Sequence, residues 1–293
     1  MSIEKQTIFK GVCTALITPF HKGEIDYESL QNLIEAQIEA GVGAILVAGT
    51  TGESPTLSTE EHAAIVCFAA RQIDGRLPLI AGCGSNSTSH ACELASAVAE
   101  SGADALLAVT PYYNRSNDRG IVAHYHAIAD STQKPLILYN VPARTGFSMT
   151  LAHYRELAEH PRIVAVKEAS PDLSLLGTLC GECTSELDIY TGNDHHTVSA
   201  MRLGASGVIS VYSNIAPRKM TELCRLCAAG EWKLAYQRQK QVLTQMQALF
   251  WESNPIPVKH VMAAKGLCHA EYRLPLAPPS SDTARRLAEV FGV

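Results

Sequence analysis

The stretch Ile163-Val164-Ala165-Val166-Lys167-Glu168 decides how this chain is read. Four apolar residues in a row, three of them β-branched, have the composition of a strand covered on both faces. Lys167 follows with no break. A lysine in such a strand is either paired or functional, because burial disfavours its ammonium form and lowers its pKa. A lysine so tuned is an amine nucleophile able to form a Schiff base with a ketone. The plainer reading is a strand-end lysine paired with a carboxylate such as Asp194 or Glu53. Position alone leaves both open.

Working outward, seven further apolar runs of strand length flank this one, at 12–18, 44–48, 77–81, 105–109, 136–141, 187–190 and 208–211. Each is followed by loop residues. Between them lie stretches of helical period rich in Ala, Leu and Glu, such as 27–40 and 60–71. Strict alternation of buried strands and helices indicates α/β architecture. Eight units over about 220 residues fit a closed (β/α)8 TIM barrel. An open doubly wound sheet is the alternative, and no G-x-G-x-x-G follows the first run to support it. After about residue 230 the alternation stops. A long amphipathic helix is expected over 231–251, then a break at Asn254-Pro255-Ile256-Pro257, a helix over 258–265 and a last one over 282–290. The chain thus divides into a barrel catalytic domain at 1–230 and a C-terminal helical region at 231–293.

Composition narrows the function classes. Of 293 residues 46% are hydrophobic and 18% charged, which is ordinary for a globular chain. The net charge is −5, with 24 Lys and Arg against 29 Asp and Glu and no basic block, so nucleic acid is not an expected partner. No apolar run approaches the roughly 20 residues of a membrane span. No secretory segment is read in residues 1–11. Nine cysteines without such a segment suggest reduced thiols and a cytoplasmic location. Cys180-x-x-Cys183 and Cys224-x-x-Cys227 have zinc-ligand spacing, yet both fall in helix-like stretches without the turns of a zinc knuckle. His124, His126, His195 and His196 likewise read as helix residues near the surface. No metal or cofactor is expected.

In a barrel of this kind the site lies at the C-terminal ends of the strands. There stand Gly49-Thr50-Thr51-Gly52-Glu53, Thr110-Pro111-Tyr112-Tyr113-Asn114, Tyr139-Asn140-Val141-Pro142 with Arg144 beyond, Lys167-Glu168, and Thr191-Gly192-Asn193-Asp194. Tyr139 lies one strand from Lys167, and a phenol that donates and accepts protons suits imine formation. Taken alone it reads rather as a core tyrosine with its hydroxyl reaching solvent. Glycines at 49 and 52 let backbone N–H groups approach a carboxylate.

The combination of Gly49-Thr50-Thr51-Gly52-Glu53, Tyr139-Asn140-Val141-Pro142 and Val166-Lys167-Glu168-Ala169 resembles the dihydrodipicolinate synthase and N-acetylneuraminate lyase family of class I pyruvate aldolases. The resemblance covers essentially the whole chain, from 11–20 through 254–259. It implies that Lys167 forms an imine with pyruvate and that Tyr139 shuttles protons in a relay with Thr50 and Tyr113. Tyr113 would reach across a dimer interface, so a homodimer or a homotetramer is implied. Thr51 and the Ile209 main chain would hold the pyruvate carboxylate, with Gly192 lining the same pocket. Arg144 would receive the carboxylate of L-aspartate 4-semialdehyde, since a guanidinium matches a carboxylate with two parallel hydrogen bonds. Arg144 together with Thr50-Thr51 favours the synthase side of the family. A sugar-acid or N-acetylneuraminate lyase is the alternative, and a non-catalytic barrel a remoter one. Ser54, His62, Asn86 and Tyr112 fit the pattern of a lysine feedback site. His90 and Thr59 depart from it, His90 standing where lysine-sensitive members place a glutamate. Weak or absent lysine inhibition is expected.

Overall fold

The computed structural model describes residue 5 and residues 7–293; residues 1–4 and 6, part of the stretch read as lacking a secretory segment, lie outside the described residues. Eight strands form a closed parallel barrel in which each neighbours the next and the last pairs with the first. They are β1 (Gly11–Ala15), β2 (Ala44–Val47), β3 (Leu79–Gly82), β4 (Ala105–Val109), β5 (Leu136–Asn140), β6 (Ile163–Glu168), β7 (Asp188–Thr191) and β8 (Gly207–Ser210). The expected eight-stranded barrel is therefore present, with strand ends shifted by a few residues. A two-residue hairpin, Phe20–His21 with Glu24–Ile25, follows β1.

Parallel strands need covering on both faces, and the core accordingly has two parts. Cys13, Leu46, Ile80, Leu107, Ile137 and Ile209 fill the barrel interior. A larger shell between strands and helices includes Ile45, Leu106, Leu138 and Val166. Alternation along each strand sorts these residues. β6 breaks the alternation. Leu136 pairs with Ile163 but Ile137 pairs with Ala165, so Val164 is an extra residue in β6. Val164 and Ala165 both face the interior, and the parity beyond them is inverted. Because of that one residue Lys167 faces into the barrel, opposite Tyr139, while Glu168 faces out, opposite Asn140.

Several of the surrounding helices begin at side-chain caps that satisfy free backbone N–H groups. Asp26, Ser87, Asn117, Asp172 and Ser280 serve in this way, and Ser58 with Glu61 forms a reciprocal capping box. The C-terminal helices are Trp232–Ala248, Ile256–Ala264 and Ser281–Phe291. The second begins two residues earlier than expected, because Pro257 sits in its first turn, where the missing N–H costs nothing. The first packs on the helices at Thr197–Arg202 and Pro217–Ala228, and the second on the turn after β8.

All nine cysteines are free. Cys180, Cys183, Cys224 and Cys227 are buried in the outer core, and burial pushes the Cys180 and Cys227 thiols up to about 11. Such thiols stay protonated and act as small hydrophobes. Among the described residues no group of three or more His, Cys, Asp or Glu side chains is arranged to hold a metal. His124 departs from its expected surface position: it is buried and its Nδ1 meets Thr88 Oγ1 at 2.9 Å. No helix of the described residues is long and apolar enough to cross a membrane.

Candidate functional site

A cavity of about 540 Å³ opens at the C-terminal end of the barrel, lined among others by Thr51, Tyr139, Arg144, Lys167, Gly192 and Asn254. Lys167 enters it from the inward face of β6 and is 5% exposed. Its Nζ lies over the Tyr139 ring, 4.2 Å from the centroid. Register explains the pair, since Tyr139 and Lys167 are direct neighbours on β5 and β6.

The carboxylates that could have neutralised Lys167 are committed elsewhere. Asp194 accepts from Ser210 Oγ at 2.5 Å and from the backbone N–H groups of Val211 and Tyr212 at 3.0 and 2.9 Å. Burial pushes its pKa up, and these three donors oppose that. Glu53 accepts from Lys259 Nζ at 2.5 Å, both side chains being fully buried. Glu168, next in sequence, points outward and takes Asn140 Nδ2, Tyr154 OH at 2.7 Å and the Ser170 N–H at 2.7 Å. Among the described residues Lys167 makes no ion pair, and of the two readings of this lysine the paired one is not what the fold builds.

The loop after β2 brings Thr50 and Thr51 to the same cavity. Its turn is closed by Glu53 N–H donating to Thr50 O at 3.2 Å and by Thr18 Oγ1 donating to Gly52 O at 2.7 Å. Thr51 is buried, and its Oγ1 accepts from Asn254 Nδ2 at 3.0 Å. Arg144, on the short helix Pro142–Thr145 after β5, donates to the Asn254 carbonyl at 2.8 Å. Gly192 is required at its position: a Cβ there would lie 2.6 Å from Ala169 Cβ and 3.0 Å from Lys167 Cε. Ile209 is fully buried on the inward face of β8.

A second cavity, of about 330 Å³, adjoins the first through Thr50, Tyr139 and Arg144. Ser54, His62, His90 and Tyr112 line it; Asn86 does not, its carbonyl instead accepting from Asn114 Nδ2 at 2.9 Å. His62 meets Gly82 O at 3.1 Å, and burial lowers its pKa, which favours the neutral ring. No carboxylate lines this cavity among the described residues. Tyr113 is apart from both cavities. It is 92% exposed and holds a backbone φ of +69°, unusual for a bulky residue. A single chain therefore does not bring Tyr113 to Thr50 and Tyr139.

Comparison with known proteins gives the family. A family model described as the dihydrodipicolinate synthetase family matches residues 8–291. The chain belongs to that family. It is 44% identical to the 4-hydroxy-tetrahydrodipicolinate synthase of Geobacter metallireducens over 97% of this chain and 98% of that one. A dihydrodipicolinate synthase from Acinetobacter baumannii, described as chloride inhibited and complexed with pyruvate, superposes with a TM-score of 0.94 at 41% identity, covering 98% and 100% of the two chains. Another solved structure, described as the first monomeric dihydrodipicolinate synthase variant, has a TM-score of 0.93 at 38% identity, with 97% of each chain covered.

In this member of the dihydrodipicolinate synthetase family, the reading by residue type overlooked three contributors. Asn254 bridges Thr51 and Arg144, although its residue type marks only a helix break beside proline and the family resemblance assigns it no role in the site. Lys259 lies inside a helical pattern and Glu53 among loop residues, so nothing local announces their pairing across 206 positions. Arg273 holds Glu61 at 2.6 Å and the Thr56 carbonyl at 3.1 Å, tying the C-terminal region to the loop that carries the threonines.

Proposed function

We propose that this chain condenses pyruvate with L-aspartate 4-semialdehyde to give 4-hydroxy-tetrahydrodipicolinate, through a Schiff base on Lys167. The observation that carries the proposal is the inward-facing Lys167 Nζ over the Tyr139 ring, without a carboxylate partner, in a cavity that also presents Thr51 and Arg144. The Lys167 amine adds to the pyruvate ketone and water leaves, giving an iminium. The iminium withdraws electrons from the methyl carbon, which loses a proton to become an enamine. The enamine carbon bonds to the aldehyde carbon, whose oxygen takes a proton to become the hydroxyl. The amine of the second substrate then attacks the imine carbon, closing the ring and releasing Lys167. Tyr139 is the proton carrier for these steps, with Thr50 beside it. Thr51 and the Ile209 backbone hold the pyruvate carboxylate, Gly192 leaves room for the Lys167 stem, and Arg144 receives the second carboxylate.

The protein works as a homodimer or a homotetramer in the cytoplasm. Tyr113 supports this: an exposed aromatic in a strained backbone is placed to serve a partner subunit's relay rather than its own. The nine unpaired cysteines suit a reducing compartment. The barrel at 1–230 supplies the chemistry, and the helical region at 231–293 supplies Asn254 and the far wall of the cavity. Ser54, His62, Asn86, His90 and Tyr112 mark an adjoining regulatory surface that no longer suits lysine.

The test is turnover of pyruvate with L-aspartate 4-semialdehyde, coupled to a dihydrodipicolinate reductase and read as loss of NADPH. Turnover that vanishes in Lys167→Ala is the expected result. A folded protein without turnover, in which borohydride still fixes pyruvate to Lys167, overturns the second substrate and assigns the chain to another pyruvate aldolase.

A further inference from the structure

Asn254 belongs to the C-terminal region, is 6% exposed, and makes contact with two groups of the site at once. Its side-chain Nδ2 donates to Thr51 Oγ1 at 3.0 Å, and its backbone carbonyl accepts from Arg144 Nη2 at 2.8 Å. Its Oδ1 is buried with no partner among the described residues. The Thr51 hydrogen bond is thus the one hydrogen bond of this amide among the described residues, in a site where burying a polar group is expensive unless the group is used.

The direction of that bond has a chemical consequence. A threonine hydroxyl has one proton to give and two lone pairs to accept with. The amide N–H occupies a lone pair, so the hydroxyl proton has to find an acceptor elsewhere. The open side of Thr51 is the cavity that holds Lys167. We infer that Asn254 is a positioning residue that sets the polarity of the Thr51 hydroxyl, turning its proton into the cavity toward a carboxylate, while its carbonyl steadies the Arg144 guanidinium at the neighbouring carboxylate position. A carboxylate only accepts hydrogen bonds, so a hydroxyl turned the other way would meet it lone pair to lone pair. The inference rests on the reading of Thr51 as a contact to the pyruvate carboxylate.

The experiment reads imine formation alone, without the aldehyde. Borohydride fixation of pyruvate on Lys167 is measured by intact mass against pyruvate concentration, for the wild type, Thr51→Val, Asn254→Ala, Asn254→Asp and the two double variants that combine them with Thr51→Val. Loss of a charge-assisted hydrogen bond predicts that Thr51→Val raises the half-saturating pyruvate by about tenfold or more. Asn254→Ala raises it by about three- to tenfold, through a hydroxyl left free to rotate. Asn254→Asp keeps the shape and reverses the bond, so its shift is larger. In the Thr51→Val background Asn254→Ala adds nothing, and Asn254→Asp adds only what its charge contributes. In the separate coupled turnover assay of the Asn254 variants, KM for the aldehyde moves less than that for pyruvate, because the Asn254 carbonyl is retained. Independent, multiplying effects of Thr51→Val and Asn254→Ala overturn the inference, as does a wild-type response in Asn254→Asp. If Thr51→Val shifts fixation and the Asn254 variants do not, the positioning inference fails and the Thr51 contact stands. If Thr51→Val itself changes nothing, both fail.

Discussion

Glu53→Gln should destabilise this protein severely, although it changes one atom in a loop. Glu53 and Lys259 are both fully buried and 2.5 Å apart. Glu53 Oε2 also accepts the Arg273 N–H at 3.3 Å, and the Lys259 ammonium lies 4.4 Å above the Phe20 ring. Burial pulls the Lys259 pKa down, and the Glu53 charge opposes that. Removing the charge leaves a buried ammonium facing only a neutral amide and the Phe20 and Tyr272 rings. Breaking a buried pair in this way costs about 3–5 kcal/mol, or roughly 6–20 °C in Tm for a chain of this size. The pH dependence has a definite sign. In Glu53→Gln the folded pKa of Lys259 falls further below the ordinary lysine value of about 10.4. The unfolded chain then binds more protons than the folded one, so stability rises with pH through the window up to that value. Replacing both partners, Glu53→Leu with Lys259→Met, leaves no buried charge and should fall within about 1–2 kcal/mol of the wild type. The assay is urea unfolding at fixed protein concentration, since subunit association would add to apparent stability, at neutral and at mildly alkaline pH. A Glu53→Gln variant within about 1 kcal/mol of the wild type, or a double variant no better than the single, would refute the reasoning.

Two further outcomes follow from the same geometry. Gly192→Ala puts a methyl 3.0 Å from Lys167 Cε and 2.6 Å from Ala169 Cβ, so pyruvate fixation on Lys167 should fall steeply while Tm changes by only a few degrees; equal fixation in the two proteins would contradict the fit. Lysine should inhibit weakly or not at all, because among the described residues the cavity lined by His62, His90 and Tyr112 contains no carboxylate for an ammonium group; sub-millimolar inhibition in the steady-state assay would overturn that, and His90→Glu should increase whatever sensitivity there is.

The barrel was legible because its signal is repetitive. Eight apolar runs separated by helical stretches leave few ways to bury both faces of every strand, and errors at single strand ends do not alter the count. The residues at strand ends were legible for a similar reason, since the fold gathers them at one rim whatever their spacing in the chain. Contacts made between distant segments had no such pattern. Lys259 reads as one more charge on a helix, and Asn254 as a turn residue beside proline. Their roles depend on partners about 200 positions away, which no local period records.

Lys167 shows where the division falls. By itself, the sequence determined that a lysine ends a strand buried on both faces, one strand from a tyrosine, in a chain whose eight repeats suit a closed barrel. Whether that lysine looks into the barrel or out of it was decided by one extra residue in β6, Val164, which has no counterpart on β5. Side chains alternate along a strand, so a single inserted residue exchanges the two faces for everything beyond it. Without the bulge Lys167 would face the helices and Glu168 the cavity. The bulge belongs to the pairing of two strands, and only the tertiary structure contains that pairing.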